Sequence, residues 1–99
     1  MNMDHKINLA LQIIPKSDKH DLYTLVDKAI EVIQNSGLKY EVCPFETVME
    51  GGYEEILAVV KKAQTACFVA GAEELLVNIK MQVRKDGSVT IEEKTGKYK

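Results

Sequence analysis

The stretch Ile7-Asn8-Leu9-Ala10-Leu11-Gln12-Ile13-Ile14-Pro15 decides the fold. Ile7, Leu9, Leu11 and Ile13 alternate with Asn8, Ala10, Gln12 and Ile14. That is the period-two pattern of a strand with one apolar face, and Pro15 is expected to end it. Downstream, Lys16-Ser17-Asp18 offers helix caps, and Leu22, Leu25, Val26, Ala29, Ile30 and Ile33 recur at helical spacing. Gly37 follows where a left-handed residue after a helix is wanted. Tyr40–Cys43 reads as a second strand, Pro44-Phe45-Glu46 as a tight connection and Thr47–Glu50 as a third strand.

The same order then repeats. Gly51-Gly52 leads into a second helix, with Glu54 and Glu55 in the first turn where negative charge suits the helix dipole. Ile56, Val59, Val60, Ala63, Cys67 and Ala70 form its apolar stripe, and Gly71 stops it. Leu75–Arg84 is a fourth strand. Strand, helix, glycine and strand, twice over, is the split βαβ arrangement. The fold class is therefore α+β: a ferredoxin-like βαββαβ sandwich in one domain, residues 1–99, with an antiparallel sheet in the order 4-1-3-2. Asp86-Gly87 is a hairpin signal, so Val89-Thr90-Ile91 is expected to return as a short extra strand. Glu92 to Lys99 is polar and reads as a frayed tail or an arm.

Bulk properties narrow the function. The chain has 99 residues, of which 45% are hydrophobic and 28% charged, with a net charge of −2. Nucleic-acid backbones are recognised by an excess of Lys and Arg, so that partner is not expected. No stretch approaches a membrane span, and Met1–Lys6 is too polar for a secretory leader. Cys43 and Cys67 share no C-x-x-C spacing and read as reduced thiols of a cytosolic protein.

Chemistry-bearing motifs are sparse. An RNA-recognition module would need stacking aromatics on its open sheet face, where the pattern puts Ala10, Gln12, Thr47 and Met49. A metal-carrying relative would place C-x-x-C where Pro15-Lys16-Ser17-Asp18 stands. Acyl-phosphate hydrolysis would want an arginine in that loop, yet the only arginine is Arg84. No Ser–His or Cys–His pair is signalled, and His5 and His20 read as surface residues. Gly51-Gly52 before a helix can cradle phosphate, although a flexible turn is the commoner use of such a pair.

The first and third strands are expected to finish at one edge, where the second and fourth begin. That would gather Gln12, Tyr40, Thr47, Met49, Glu50 and Asn78 into one candidate binding site. Glu50 has two readings: a carboxylate satisfied by backbone N–H groups, or an anion recognising a cationic or amidine-like ligand. The face away from the helices mixes Asn8, Ala10, Gln12 and Ile14 with Asn78, Lys80 and Gln82. A homodimer packed sheet against sheet would cover it.

Tyr40-Glu41-Val42, Pro44 and Thr47-Val48-Met49-Glu50-Gly51 resemble the Y-E-(V/I)…T-x-x-E-G segment of the small thiamine-binding proteins. Ile13-Ile14-Pro15 and the closing Val89-Thr90-Ile91-Glu92-Glu93-Lys94 match them too. The chain departs from many relatives in having Phe45-Glu46-Thr47 for Met-Gly-Thr, and Gln82-Val83-Arg84 for an acidic, Arg-rich strand end. The resemblance implies a non-enzymatic, cytosolic homodimer or homotetramer with no cofactor. Its ligand would be thiamine or hydroxymethylpyrimidine, bound at the sheet edge near the dimer interface. Glu50, Gln12, Asn78 and Thr47 would then face an aminopyrimidine, and Tyr40 and Met49 the thiazolium. A regulatory module sensing another metabolite, such as an amino acid, is the alternative.

Overall fold

The structure is a computed structural model and describes residues 5–99. Its elements are β1 (Lys6–Lys16), α1 (Leu22–Gln34), β2 (Lys39–Val42), β3 (Thr47–Gly52), α2 (Tyr53–Ala70), β4 (Glu74–Gln82) and a short C-terminal α3 (Ile91–Thr95). The sheet order is β2-β3-β1-β4 with every neighbouring pair antiparallel, as the ferredoxin-like reading requires.

The alternation in β1 sets the layers. Ile7, Leu9, Leu11 and Ile13 are buried with Leu25, Ala29 and Ile33 of α1 and with Ile56, Val59, Val60, Ala63 and Cys67 of α2. Residues of the other parity, Asn8, Ala10, Gln12 and Ile14, point to the face without these helices. Truncating a core residue such as Leu9 to alanine would cost about 2–5 kcal/mol, so this face holds the fold together.

Several local expectations are corrected. Pro15 does not end β1, which continues to Lys16. Beyond Leu11 the strand pairs with β4 alone, so one side of its backbone is free and a proline there need not break a ladder. The cap of α1 is Asp21, whose carboxylate accepts the Thr24 N–H at 3.2 Å. Ser17 instead accepts the N–H groups of Lys19 and His20 within a turn. Gly37 and Gly71 both take positive φ, at 83° and 121°, in the turns that follow α1 and α2.

The extra C-terminal strand is not formed. Gly87, at φ 101°, does reverse the chain. What returns is the capped start of α3: the Thr90 hydroxyl accepts the Glu93 N–H at 3.1 Å, and the Glu93 carboxylate accepts the Thr90 N–H at 2.8 Å. This reciprocal capping box commits Thr90-x-x-Glu93 to helix initiation rather than to strand pairing. Ser88–Lys99 thereby becomes a strap over part of the sheet face that α1 and α2 leave open. Its own Val89 and Ile91 are buried.

Candidate functional site

The six residues expected to converge do not form one cluster. β1 and β3 run antiparallel, so they finish at opposite edges of the sheet, and the expectation of a shared edge is overturned. Glu50 lies opposite Asn8 and Lys39, whereas Gln12 lies opposite Asn78. Gln12 lies four residue steps along the strand from Asn8, about 13 Å. Thr47 and Met49, assigned to the open face, share the parity of Leu11 and Leu9 and are buried on the helix side. The β3 positions of the open face are Val48 and Glu50, so that face still offers no aromatic platform for RNA.

Each residue therefore has a distinct setting. Met49 is wholly buried in the core, and its cross-strand partner Tyr40 on β2 is partly exposed at the sheet edge. Glu50 is 6% exposed and accepts the Ile91 N–H at 2.7 Å, so the carboxylate takes its structural reading, satisfied by the strap. Asn78 donates its amide to the Gln12 carboxamide oxygen at 3.0 Å. Gln12 and Thr47 do come together, lining one groove at the end of the sheet where Pro15 lies.

That groove exists because β3 is shorter than β1. The last β1–β3 pair is Leu11 with Thr47, and from Gln12 onward the edge of β1 away from β4 has no strand beside it among the described residues. Into the gap fit the first turns of α1 and the turn Cys43–Glu46, closed by the Cys43 N–H donating to the Glu46 carbonyl at 2.9 Å. Two adjoining cavities of about 230 and 180 Å³ result, and they share Gln12, Ile13, Tyr23, Val26, Pro44 and Phe45. Tyr23 and Phe45 stand 74% and 82% exposed at its mouth. Asp27 and Cys43 also line the larger cavity.

The arrangement suits a flat, polar heteroaromatic. A free β-edge presents in-plane N–H and C=O groups, Gln12 lines it with its carboxamide oxygen already held by Asn78, and two aromatic rings offer faces for stacking or for a cation. Tyr23, Phe45 and Asp27 were not among the expected site residues. Phe45 carried a readable signal, a large apolar side chain at the tip of a Pro-initiated turn, where burial is not available.

Other features have different roles. A larger cleft of about 410 Å³ between α1 and α2 is lined by Lys28, Lys62 and Glu31 and holds no aromatic side chain for a heteroaromatic ligand. The Gly51-Gly52 phosphate cradle is occupied by the protein itself, since Glu55 accepts the Gly52 N–H at 3.3 Å. Among the described residues no group of three or more His, Cys, Asp or Glu side chains is placed to hold a metal ion. Nor, among the described residues, is any helix long and apolar enough to cross a membrane.

Comparison with known proteins identifies the family. Residues 9–99 match the family model described as thiamine-binding protein. The chain belongs to the thiamine-binding protein family. Within the family it is 45% identical over 92 residues to a UPF0045 protein of Clostridium perfringens, covering 93% of this chain and 96% of that one. A solved structure described as a domain of unknown function from Bacillus cereus superposes with a TM-score of 0.94 at 44% identity, over 100% of this chain and 96% of that one. A Thermotoga maritima structure, described as a candidate thiamine biosynthesis/salvage protein, gives 0.85 at 33% identity, over 95% and 99%.

Proposed function

We propose that the chain binds thiamine, or its hydroxymethylpyrimidine half, without transforming it, in the groove between the free edge of β1, α1 and the Cys43–Glu46 turn. The observation that carries this reading is the pairing of a free strand edge and the Gln12 amide with two exposed aromatics, Tyr23 and Phe45, in a member of this family. The aminopyrimidine has donors and acceptors along one edge, which matches the β1 backbone and Gln12. Asp27 supplies negative charge for the ring amine. The thiazolium is a cation with a polarizable sulfur, and the Phe45 and Tyr23 faces attract it.

The protein acts in the cytosol as a homodimer or dimer of dimers. Leu76, Ile79 and Met81 lie exposed along β4, whose outer edge has no strand beside it among the described residues. Gln12 and Asn78 sit on the face a second copy would cover, so assembly and binding would be linked.

Calorimetric titration with thiamine and, separately, with hydroxymethylpyrimidine tests the reading. Saturable heat with either one is expected, with no release of a cleaved product. Absence of binding by both ligands, or steady turnover of thiamine phosphates, would overturn it.

A further inference from the structure

The strap shapes a second cavity, of about 270 Å³, on the open sheet face and separate from the groove at the end of β1. Ala10 and Val48 are cross-strand partners on its floor. Glu46, Lys80 and Lys94 bring charge to it, and Asn8 lines it beside Gln82. Lys80 sits opposite Ala10 and reaches across that small side chain to Glu46, at 3.2 Å. From the strap, Lys94 donates to the Gln82 carboxamide oxygen at 2.7 Å.

Two features of this cavity are unfinished. Asn8 is only 4% exposed and is held in orientation by donating its amide to the Val89 carbonyl at 3.0 Å. Its carboxamide oxygen has no hydrogen-bond partner among the described residues. A buried acceptor left unpaired is unfavourable, and this one lies beneath the cavity surface. The second feature is the Lys80–Glu46 pair, largely solvated on the lysine side and therefore weakly held.

We propose that this cavity binds a small zwitterion of the amino-acid class. Its carboxylate would sit between Lys80 and Lys94, its ammonium would turn toward Glu46, and a short side chain would lie on Ala10 and Val48. Charge balance selects this class. A simple anion would draw Lys80 away and leave Glu46 without its partner, and a simple cation would do the reverse. A zwitterion inserted between the two keeps both satisfied. Because Lys94 belongs to the strap, occupancy would also hold the strap down. The inference does not depend on the thiamine reading, since the two cavities share only Glu46.

The test uses the full chain and the twenty common amino acids, first by thermal shift and then by calorimetry on any that stabilise. At least one with a small side chain is expected to bind with Kd of about 1 mM or tighter. Lys80→Ala and Lys94→Ala should each weaken it about tenfold while thiamine affinity is unchanged. In the converse control, Phe45→Ala should leave amino-acid affinity unchanged. NMR shifts on binding should centre on Ala10, Val48 and the Asn8 side-chain amide. Acetate or ethylamine binding as tightly as the amino acid would overturn the zwitterion. So would shifts centred on Phe45, or no binding by any amino acid in the panel.

Discussion

The Glu50 carboxylate accepts the backbone N–H of Ile91 at 2.7 Å, across forty-one positions of sequence. The bond is buried and joins the end of β3 to the first residue of α3. Around it, Lys6 donates its N–H to the Ser88 hydroxyl, and Val89 donates its N–H to the Lys6 carbonyl. At the far end the Lys99 ammonium pairs with Glu41. The strap is thus tied to β1, β2 and β3.

Glu50 is accordingly expected to govern strap docking rather than ligand affinity. Glu50→Gln keeps an acceptor and loses its charge, which should lower stability by about 1 kcal/mol; Glu50→Ala leaves the Ile91 N–H bare and should cost about 1–3 kcal/mol. Urea unfolding measures both. Thiamine affinity should be unchanged in Glu50→Gln, and a tenfold loss in a normally folded variant would return Glu50 to the binding site.

How far the sequence was legible follows from which interactions are local. Strand alternation, the helix stripes and the glycine turns are short-range signals, and they yielded the element order and the sheet order. Register is a long-range property. Which edge Glu50 occupies depends on β3 running against β1, and the period-two pattern does not by itself show direction. The groove was hidden for a related reason: it arises from β3 ending at Thr47 while β1 continues to Lys16. The strap was readable in part, because Thr90-x-x-Glu93 has the capping-box spacing, but its tie to Glu50 was not.

The Arg84–Glu93 pair should make strap docking acid-sensitive. Hydrogen bonding from Arg84, with help from the Thr90 N–H, holds the Glu93 carboxyl at about 2 against an ordinary value of 4.5. A carboxyl lowered on folding contributes its stabilisation in full above the ordinary value and loses it as pH falls toward the folded one. Docking should therefore weaken between about pH 4.5 and 2, modestly and less so in high salt, because the pair is solvated. Carboxyl NMR of Glu93 checks this, and Arg84→Ala should move its titration upward.

The two cysteines should differ in reactivity. Burial raises the Cys67 thiol, which points its Sγ at the Leu25 carbonyl at 3.4 Å, so it should resist alkylation until the protein unfolds. Cys43 is only partly buried at the groove wall and should label in the native state. Thiamine should slow Cys43 labelling, as mass spectrometry can follow; native labelling at Cys67 would contradict the packing described.

Assembly should depend on the uncovered part of the sheet. Ile14 and Leu76 are cross-strand partners on the open face, and Leu76 is more than half exposed. Light scattering at micromolar concentration should give a dimer or larger. Leu76→Lys places charge on the proposed contact and should shift the mass toward the monomer. A monomeric parent would remove the second copy from the account of this face.

The decisive substitutions lie in the groove. Phe45 is so exposed that Phe45→Ala should alter stability by no more than about 0.5 kcal/mol, which separates binding from folding. Losing a cation–π face is worth about 0.5–2 kcal/mol, so Kd for thiamine should rise about two- to thirtyfold. Phe45→Tyr retains a ring and should bind like the parent. Hydroxymethylpyrimidine has no thiazolium, so if Phe45 meets that ring its affinity should be nearly unaffected by Phe45→Ala. Gln12→Ala removes an amide from the pyrimidine edge and should weaken both ligands by about two- to tenfold, the loss of one neutral hydrogen bond. Calorimetry across these three variants and two ligands gives a pattern that one misplaced contact cannot imitate. Unchanged thiamine affinity in both Phe45→Ala and Gln12→Ala would move the ligand out of this groove.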